Sequence, residues 1–178
     1  EHGYFTAYQQ VVADDPDLVV HVGDYIYEKS LGKARVRRHD APDCQTLEDY
    51  RARHALYRGD PDLQRAHANC PWLLVWDDHE VGNDYAGDRS EEADVAAWTL
   101  ARRAAAYRAY YEHLPLPRRA VPFGPDMRIH ATRRWGSLAT LHLLDTRQYR
   151  DPQTCPPAGR AGGNGVKPED CAALDDAS

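Results

Sequence analysis

Four residues with metal-binding or acid–base chemistry stand directly behind two apolar runs of the sequence. Asp24 and Tyr27 follow the first run, and Asp78 and His79 follow the second. An apolar run that stops abruptly at charged residues is typical of a buried strand, and open α/β sheets carry their functional groups at such carboxyl ends. Carboxylate and phenolate oxygens suit hard cations such as iron(III), calcium, magnesium or manganese. The two runs together therefore predict one shared metal site.

The predicted site could catalyse attack on phosphorus. Two ions that share one carboxylate can hold a bridging hydroxide in line with a phosphate ester. Asp24 is the candidate for the shared carboxylate, Tyr27 for a ferric ligand, and His79 for the group that gives a hydrogen bond or a proton to the leaving oxygen. Asp24 and His79 also have plainer interpretations. Gly-Asp after a strand is commonly a turn, and a histidine beside a metal ligand can be a residue that only hydrogen-bonds to that ligand. Asn83 could be a further ligand or part of the turn after the second strand.

The surrounding pattern predicts a β-α-α-β unit that would bring both strand ends to one edge of a sheet. Parallel strands joined in this way are connected by a right-handed crossover. Thr46 and Asp49 have the spacing of a capping box, and Asp60 before a proline has the residue types of a second helix start. The predicted elements are a helix over 4–13, a strand over 17–22, helices over 46–59 and 60–69, and a strand over 72–76.

The later part of the chain predicts supporting elements. Ser90 and the acidic residues after it predict the start of a long helix that ends near His113, before Leu-Pro-Leu-Pro. Alternation over 127–135 and an apolar run over 138–145 predict a β-hairpin whose second arm is buried.

Length and charge narrow the class of protein. A chain of 178 residues is long enough for one domain with a core, so 1–178 is predicted as a single domain in which 151–178 is mainly loop. The formal net charge of −6 disfavours a protein whose main partner is nucleic acid. No apolar run reaches the roughly 18 residues that a membrane span needs.

Three further groups of residues draw attention by their type. His21 and His142 lie inside strand-like runs and are predicted to be core residues. Cys155 and Cys171 flank a segment rich in proline and glycine, where a disulfide would form in an oxidising compartment and free thiols are the alternative. The basic loop over 29–43 could receive a phosphate or could be an ordinary solvated loop.

Several longer motifs resemble those of known families. Gly23-Asp24-x-x-Tyr27 and Asp78-His79-Glu80 are similar to the central motifs of the calcineurin-like metallophosphoesterases, in the tyrosine-bearing variant shared with purple acid phosphatases. A closer resemblance is to the PhoD-like alkaline phosphatases, and it extends over nearly the whole chain. The segments that carry this resemblance are 5–8, 21–28, 47–51, 76–81 with 83–85, and 144–149.

This resemblance implies a four-layer α/β/β/α metallophosphoesterase sandwich, of which the chain would be an incomplete, amino-proximal part. It also implies a phosphatase or phosphodiesterase that is secreted, periplasmic or held at the cell surface, with Fe3+ and Ca2+ at its centre. The implied roles are Asp24 as the ligand that bridges the metals, Tyr27 as a ligand of iron, Asp78 and Asn83 as ligands of the second metal, His79 as the group that contacts phosphate, and Arg147 as a substrate-binding or structural residue.

The sequence also departs from the family pattern. The Ser-Cys motif expected upstream and the histidine-bearing motifs expected downstream are absent from the sequence, so the chain is expected to hold only part of the metal centre. The predicted function is metal-dependent hydrolysis of phosphate mono- or diesters by in-line attack of a metal-bridging hydroxide. The alternative is a truncated, non-catalytic fragment that binds metal or a partner. A nuclease is a third interpretation, which the acidic charge makes weaker.

Overall fold

The computed structural model describes residues 3–30, 36–39, 41–91 and 100–153. Within these ranges no helix has both the length and the apolar character needed to cross a membrane. The helices are α1 (Ala7–Ala13), α2 (Leu47–Arg58), α3 (Pro61–Asn69) and α4 (Leu100–His113), with a short 3-10 turn over Arg118–Ala120. The strands are β1 (Val19–His21), β2 (Trp72–Leu74), β3 (Ala131–Trp135) and β4 (Ala139–Leu143).

The strands β1 and β2 are paired in parallel, as the β-α-α-β pattern predicts. Val19 lies opposite Trp72, and His21 lies opposite Leu74. The pairing continues past the strand end, where the Val75 amide donates to the His21 carbonyl at 3.0 Å. Because the two strands run in the same direction, their carboxyl ends lie at one edge of the sheet.

Helices α2 and α3 connect these strands and begin at the predicted caps. The Thr46 hydroxyl accepts from the Asp49 amide at 3.2 Å, and the Asp49 carboxylate accepts from the Thr46 amide at 2.9 Å, which confirms the capping box. At the start of α3, the Asp60 carboxylate accepts from the amides of Asp62 and Leu63. Two capped helices therefore lead the chain from β1 to β2.

The core beside β2 is rich in aromatic side chains from α2 and α4. Trp76 stacks on Tyr107 with 4.2 Å between the ring centroids, and Tyr110 meets Trp76 edge-on at 5.7 Å. Tyr50 of α2 is fully buried in the same cluster. Since Trp76 directly precedes the acidic residues that follow β2, this packing fixes the point from which they project.

The predicted hairpin is present, because β3 and β4 pair as antiparallel neighbours. The prediction that its second arm is buried is wrong. Leu138 and Leu144, on either side of β4, are 84% and 66% exposed. Among the described residues the two arms pack mainly against each other, so Leu143 is the residue of β4 that reaches the core.

The two histidines predicted as core residues differ from each other. His21 is half-buried, and its ring lies 5.2 Å from that of Tyr25 and 6.1 Å from that of Trp72. His142 is exposed, so its predicted core position is wrong. It lies on the solvent side of the hairpin, with its Nδ1 3.2 Å from the Thr132 hydroxyl.

Some predictions fall on residues outside the described ranges. The stretch 151–178 is described only as far as 153, so the predicted loop is not tested there. Cys155 and Cys171 also lie beyond that point, and their disulfide stays a prediction. The long helix predicted from Ser90 is observed as α4, while 92–99 is not described.

Candidate metal centre

The end of β1 turns sharply against the end of β2. Gly23 has a φ of +121°, and a Cβ at this position would lie 2.3 Å from the Asp77 amide nitrogen. Glycine permits both this backbone conformation and this close approach. Asp24 follows with a φ of +57°, a left-handed conformation that costs a non-glycine residue about 1 kcal/mol. The turn places the Asp24 carboxylate beside the residues that follow β2.

Asp24, Asp78 and His79 converge on one point. Each offers one ligand atom, and these three atoms all lie within 4.8 Å of one another. The Tyr27 hydroxyl donates to Asp24 Oδ2 at 3.0 Å, so a phenol oxygen borders the same group. Asp24 Oδ1 is buried and has no hydrogen-bond partner in the part of the chain that the structure describes. Because a buried carboxylate oxygen without a partner is unfavourable, this donor set fits a hard metal ion.

The charges in this cluster also favour a cation. Burial, together with the neighbouring Asp24 carboxylate, raises the pKa of Tyr27 to about 12. Burial likewise raises the pKa of Asp78 above its usual range, although the Asp84 amide and the Arg147 charge oppose that rise. Both shifts mean that further negative charge is unfavourable at this point. A positive ion would reverse that cost and favour the ionised form of each ligand.

His79 is hydrogen-bonded to the buried carboxylate of Glu28, a residue for which the sequence predicted no role. Its Nδ1 lies 2.7 Å from Oε2 of Glu28, which is fully buried and also accepts from the Asn83 amide at 2.8 Å. Burial opposes a charge on the imidazole, but the hydrogen bond and charge of Glu28, with the charges of Asp78 and Asp24, raise the pKa of His79 to about 9. Since Nδ1 is engaged, Nε2 is the nitrogen left for a ligand or a metal.

Glu80 connects the two strand ends through their backbones. One carboxylate oxygen accepts from the Tyr25 amide, and the other accepts from the Asp77 amide at 2.9 Å. The side chain is fully buried, and burial raises its pKa to about 7 although these two amides oppose the rise. Glu80 therefore holds the residues beside Asp24 and Asp78 at a fixed separation, without facing the centre itself.

Arg147 lies among carboxylates. Its guanidinium donates to Asp77 at 2.6 Å and to Asp84 at 3.4 Å, and it lies 3.6 Å from an oxygen of Asp78. The side chain is mostly buried, and its charge compensates this acidic group. The geometry favours the structural interpretation of Arg147, and its role in substrate binding stays a prediction.

Asn83 borders the centre but is already hydrogen-bonded. Its side-chain amide donates to Glu91 at 2.7 Å, and the residue lines the same cavity as Asp24, Tyr27 and His79. This arrangement leaves its carbonyl oxygen as the possible ligand atom. The assignment of Asn83 to a second metal stays a prediction.

Three acidic residues of the site, Glu28, Glu80 and Asp77, have no role predicted from the sequence, although all three lie in the motifs. Each has a partner more than 50 residues away in the sequence, and Glu80 also accepts from the nearby Asp77 amide. The sequence feature that could have indicated these roles is an acidic residue inside a segment that is otherwise aromatic or apolar. Such a residue must be paired if it is buried.

Comparisons with known proteins show which family this chain is similar to. The family model for PhoD-like phosphatase matches residues 1–178. The chain is 47% identical over 173 residues to alkaline phosphatase D of Bacillus subtilis (strain 168), a match that covers 94% of this chain and 28% of that protein. A solved structure of PhoD has a TM-score of 0.81 and 45% identity, over 88% of this chain and 33% of that chain.

The structural likeness confirms the predicted α/β fold of the metallophosphoesterase type. The chain spans no more than about a third of the length of either protein. The family model nevertheless matches along the entire sequence, and the 47% identity extends over 94% of this chain. This chain therefore belongs to the PhoD-like phosphatase family.

Proposed function

We propose that this chain supplies part of the active centre of a metal-dependent phosphoric ester hydrolase. The observation that carries the proposal is the buried, unpartnered oxygen of Asp24, which lies with Asp78 and His79 in one group of ligand atoms within 4.8 Å. The family match supports the reaction class, because the relative from Bacillus subtilis is named an alkaline phosphatase.

The proposed ions are Fe3+ and Ca2+. Asp24 would be the shared ligand, Tyr27 would bind the ferric ion, and Asp78 and Asn83 would bind the second ion. When bound, the ions would neutralise the phosphate oxygens and make the attacking water more acidic. The raised pKa of Tyr27 opposes loss of the phenol proton, so its role as a ligand requires a strongly charged ion that favours the phenolate.

His79 would act on the phosphate side of the centre. With Nδ1 held by Glu28, its Nε2–H would donate to a phosphoryl oxygen and then give its proton to the leaving oxygen. The hydrogen bond and the charge of Glu28 favour the protonated imidazole that this role requires. Glu28 would therefore orient the imidazole and stabilise its charge, as a carboxylate does for a catalytic histidine.

The proposed substrates are phosphate mono- or diesters, and the enzyme is proposed to act outside the cytoplasm. The acidic net charge of −6 argues for a small ester rather than a nucleic acid as the substrate.

The Glu80 and Arg147 contacts support a centre whose backbone is fixed before the substrate binds.

The test is elemental analysis of the protein that carries this chain, purified without chelators, together with assays on p-nitrophenyl phosphate and its bis-ester. Stoichiometric iron and calcium with turnover are the expected result. Bound metal without turnover would favour the non-catalytic metal-binding alternative. A protein that takes up no metal and hydrolyses neither ester would overturn the proposal.

The role of Tyr27 has a separate spectroscopic test. A phenolate bound to a ferric ion gives a visible charge-transfer band, which Tyr27→Phe should abolish while iron remains detectable. Tyr4→Phe is the matched control, because Tyr4 is 71% exposed and has no assigned place among the ligands. A band that persists in Tyr27→Phe would remove Tyr27 from the ligand set.

A further inference from the structure

The loop that follows β1 carries two residues of the candidate metal centre but belongs to no helix or strand. Tyr27 and Glu28 lie in this loop, and the Glu28 carboxylate is hydrogen-bonded to His79. Buried backbone carbonyls of such a loop need donors from elsewhere in the protein, because no helix or strand supplies them. Arg53 of α2 is the donor for the carbonyls of both loop residues.

Arg53 contacts three backbone carbonyls with one guanidinium group. Its Nη1 donates to the carbonyl of Tyr27 and, at 2.7 Å, to that of Glu28, and its Nη2 donates to the Ala41 carbonyl at 2.7 Å. The residue is 2% exposed. A guanidinium presents its donors in one rigid plane, so three bonds to the backbone fix the position of the loop relative to α2.

The same guanidinium joins two segments of the chain beside the centre. The segment after β1 lies against the segment before α2, where the Cys44 amide donates to the Glu28 carbonyl at 3.1 Å. Near the same point the Ser30 amide donates to the Pro42 carbonyl at 2.7 Å. Because Arg53 donates to carbonyls of both segments, its removal should loosen both of them.

Helix α2 also contacts the residues that follow β2. The Tyr50 hydroxyl donates to the Val81 carbonyl and accepts from Nε of Arg102 at 2.9 Å. Tyr50 and Arg53 are three residues apart, so they lie on one face of the helix. One face of α2 therefore binds the backbone of both strand ends, with Arg53 on the side of β1 and Tyr50 on the side of β2.

We propose that Arg53 is a positioning residue of the metal centre, which fixes the backbone of Tyr27 and Glu28 and through them the phenol oxygen and the His79 imidazole. This inference rests on the proposed function, which makes Tyr27 a ligand of iron and His79 the group that contacts phosphate. Arg53 acts on the centre through backbone carbonyls, so its effect is on geometry. A lysine would keep the charge but would not reproduce the planar set of donors.

The first test is Arg53→Lys in the metal-loaded protein. Iron content should stay near normal because all ligand side chains remain, while the charge-transfer band of Tyr27 should weaken and shift and kcat should fall by about ten-fold. Arg103→Lys is the matched control. Arg103 is also buried and donates to the carbonyls of Pro125 at 2.8 Å and Gly87 at 2.7 Å, and this variant should retain the band and kcat.

Hydrogen–deuterium exchange of the metal-free protein tests the same contact without the proposed chemistry. In Arg53→Lys the amides of Ser30 and Cys44 should exchange about ten-fold faster. The Val75 amide, which donates from the end of β2 to β1, should keep its rate because the paired strands do not depend on the guanidinium. Faster exchange at all three amides would mean a general loss of folding and would contradict a local role.

Arg53→Ala with added guanidinium ion provides a second, independent test. The truncation leaves a space beside the three carbonyls, and guanidinium at concentrations too low to denature the protein should restore the band and kcat. Methylammonium is the control cation, because it carries the same charge without the planar donors, and it should not restore them.

The outcomes separate the positioning role from the reaction. An unchanged band and kcat in Arg53→Lys, equal losses in Arg53→Lys and Arg103→Lys, or no rescue by guanidinium would overturn the positioning role, while metal content and turnover of the unmodified protein still supported the proposed function. An unmodified protein without iron and turnover would overturn the proposed function, and the positioning role would fall with it. Losses confined to the Arg53 variants and reversed by guanidinium would support both.

Discussion

Two pairs of strands lie in the described part of the chain, and they differ in almost every respect that matters for chemistry. β1 and β2 are parallel, are joined through two helices and end in a group of buried charged residues. β3 and β4 are antiparallel and are joined by a tight turn at Gly136, whose φ is +54°. Most side chains of that hairpin are exposed.

The difference shows where a site can form. In the parallel pair, residues far apart in sequence meet, and the buried carboxylates of Glu28 and Glu80 each obtain a partner from the other strand end. In the hairpin, contacts are mostly local, so nothing forces charged groups together or away from water. We therefore expect substitutions at the ends of β1 and β2 to have large effects on metal binding and catalysis, and substitutions in the hairpin to have small ones.

The largest effect is expected for Asp24→Asn. The variant keeps the shape of the side chain but removes the charge that two cations would share, so both metal content and activity should be lost, the latter by about a thousand-fold or more. Elemental analysis and turnover of p-nitrophenyl phosphate measure the two losses.

Asp15→Asn is the matched control for this variant. Asp15 also has a left-handed backbone, with a φ of +47°, and it lies before β1 on the exposed surface. It should retain full metal content and activity. An active, metal-loaded Asp24→Asn protein would contradict the assignment of the shared ligand.

A smaller effect is expected for Glu28→Gln. Loss of the carboxylate should lower kcat by about ten- to a hundred-fold, because His79 loses the partner that orients it and supports its charge, while metal content stays near normal. His79→Ala should reduce kcat further, and the double variant should be no slower than His79→Ala alone. Steady-state kinetics on the three variants measure this coupling.

Glu48→Gln provides the corresponding control, since Glu48 is an exposed residue in the first turn of α2. Independent, additive losses from Glu28→Gln and His79→Ala would mean that the two side chains do not act together. The contact between them would then be structural only.

The sequence predicts those features of the two strand pairs that depend on neighbouring residues in the chain. Asp24 and Asp78 stand at the ends of apolar runs, and the capping residues of α2 mark where the crossover begins, so the parallel pair and its acidic end could be inferred. Glu28 was missed because its partner His79 lies 51 residues away, and the link that Glu80 makes to the other strand end was missed because the Tyr25 amide lies 55 residues away. Burial of β4 was predicted wrongly because an apolar run shows that a strand can be covered but does not show which element covers it.

The supporting helices should also respond to pH differently from the hairpin. His54 of α2 is fully buried, and neither ring nitrogen has a hydrogen-bond partner among the described residues. Burial lowers its pKa from 6.5 to about 3. Between these values the unfolded chain binds a proton that the folded protein excludes, so the free energy of unfolding should fall as the pH falls from 6.5 toward 3, by up to about 1.4 kcal/mol per pH unit.

His54→Phe should flatten this dependence, as measured by denaturant unfolding at several pH values. His142→Phe is the comparison within the hairpin. His142 is exposed, so this variant serves as the control for a histidine-to-phenylalanine substitution outside the core. Equal slopes in the His54→Phe variant and the unmodified protein would show that His54 is not excluded from protonation in the folded state.

The smallest effect is expected for Leu138→Ala in the hairpin. Leu138 is 84% exposed, so its truncation should change the free energy of unfolding by no more than about 0.5 kcal/mol. The same truncation at Leu74 of β2, which is 3% exposed, should cost about 2–5 kcal/mol because it leaves a cavity in the core. Denaturant unfolding of Leu138→Ala and Leu74→Ala measures the change in the free energy of unfolding that the same substitution causes in each strand pair. A loss at Leu138 as large as that at Leu74 would mean that another part of the protein covers the hairpin, in which case the contrast between the two pairs would concern their chemistry and no longer their burial.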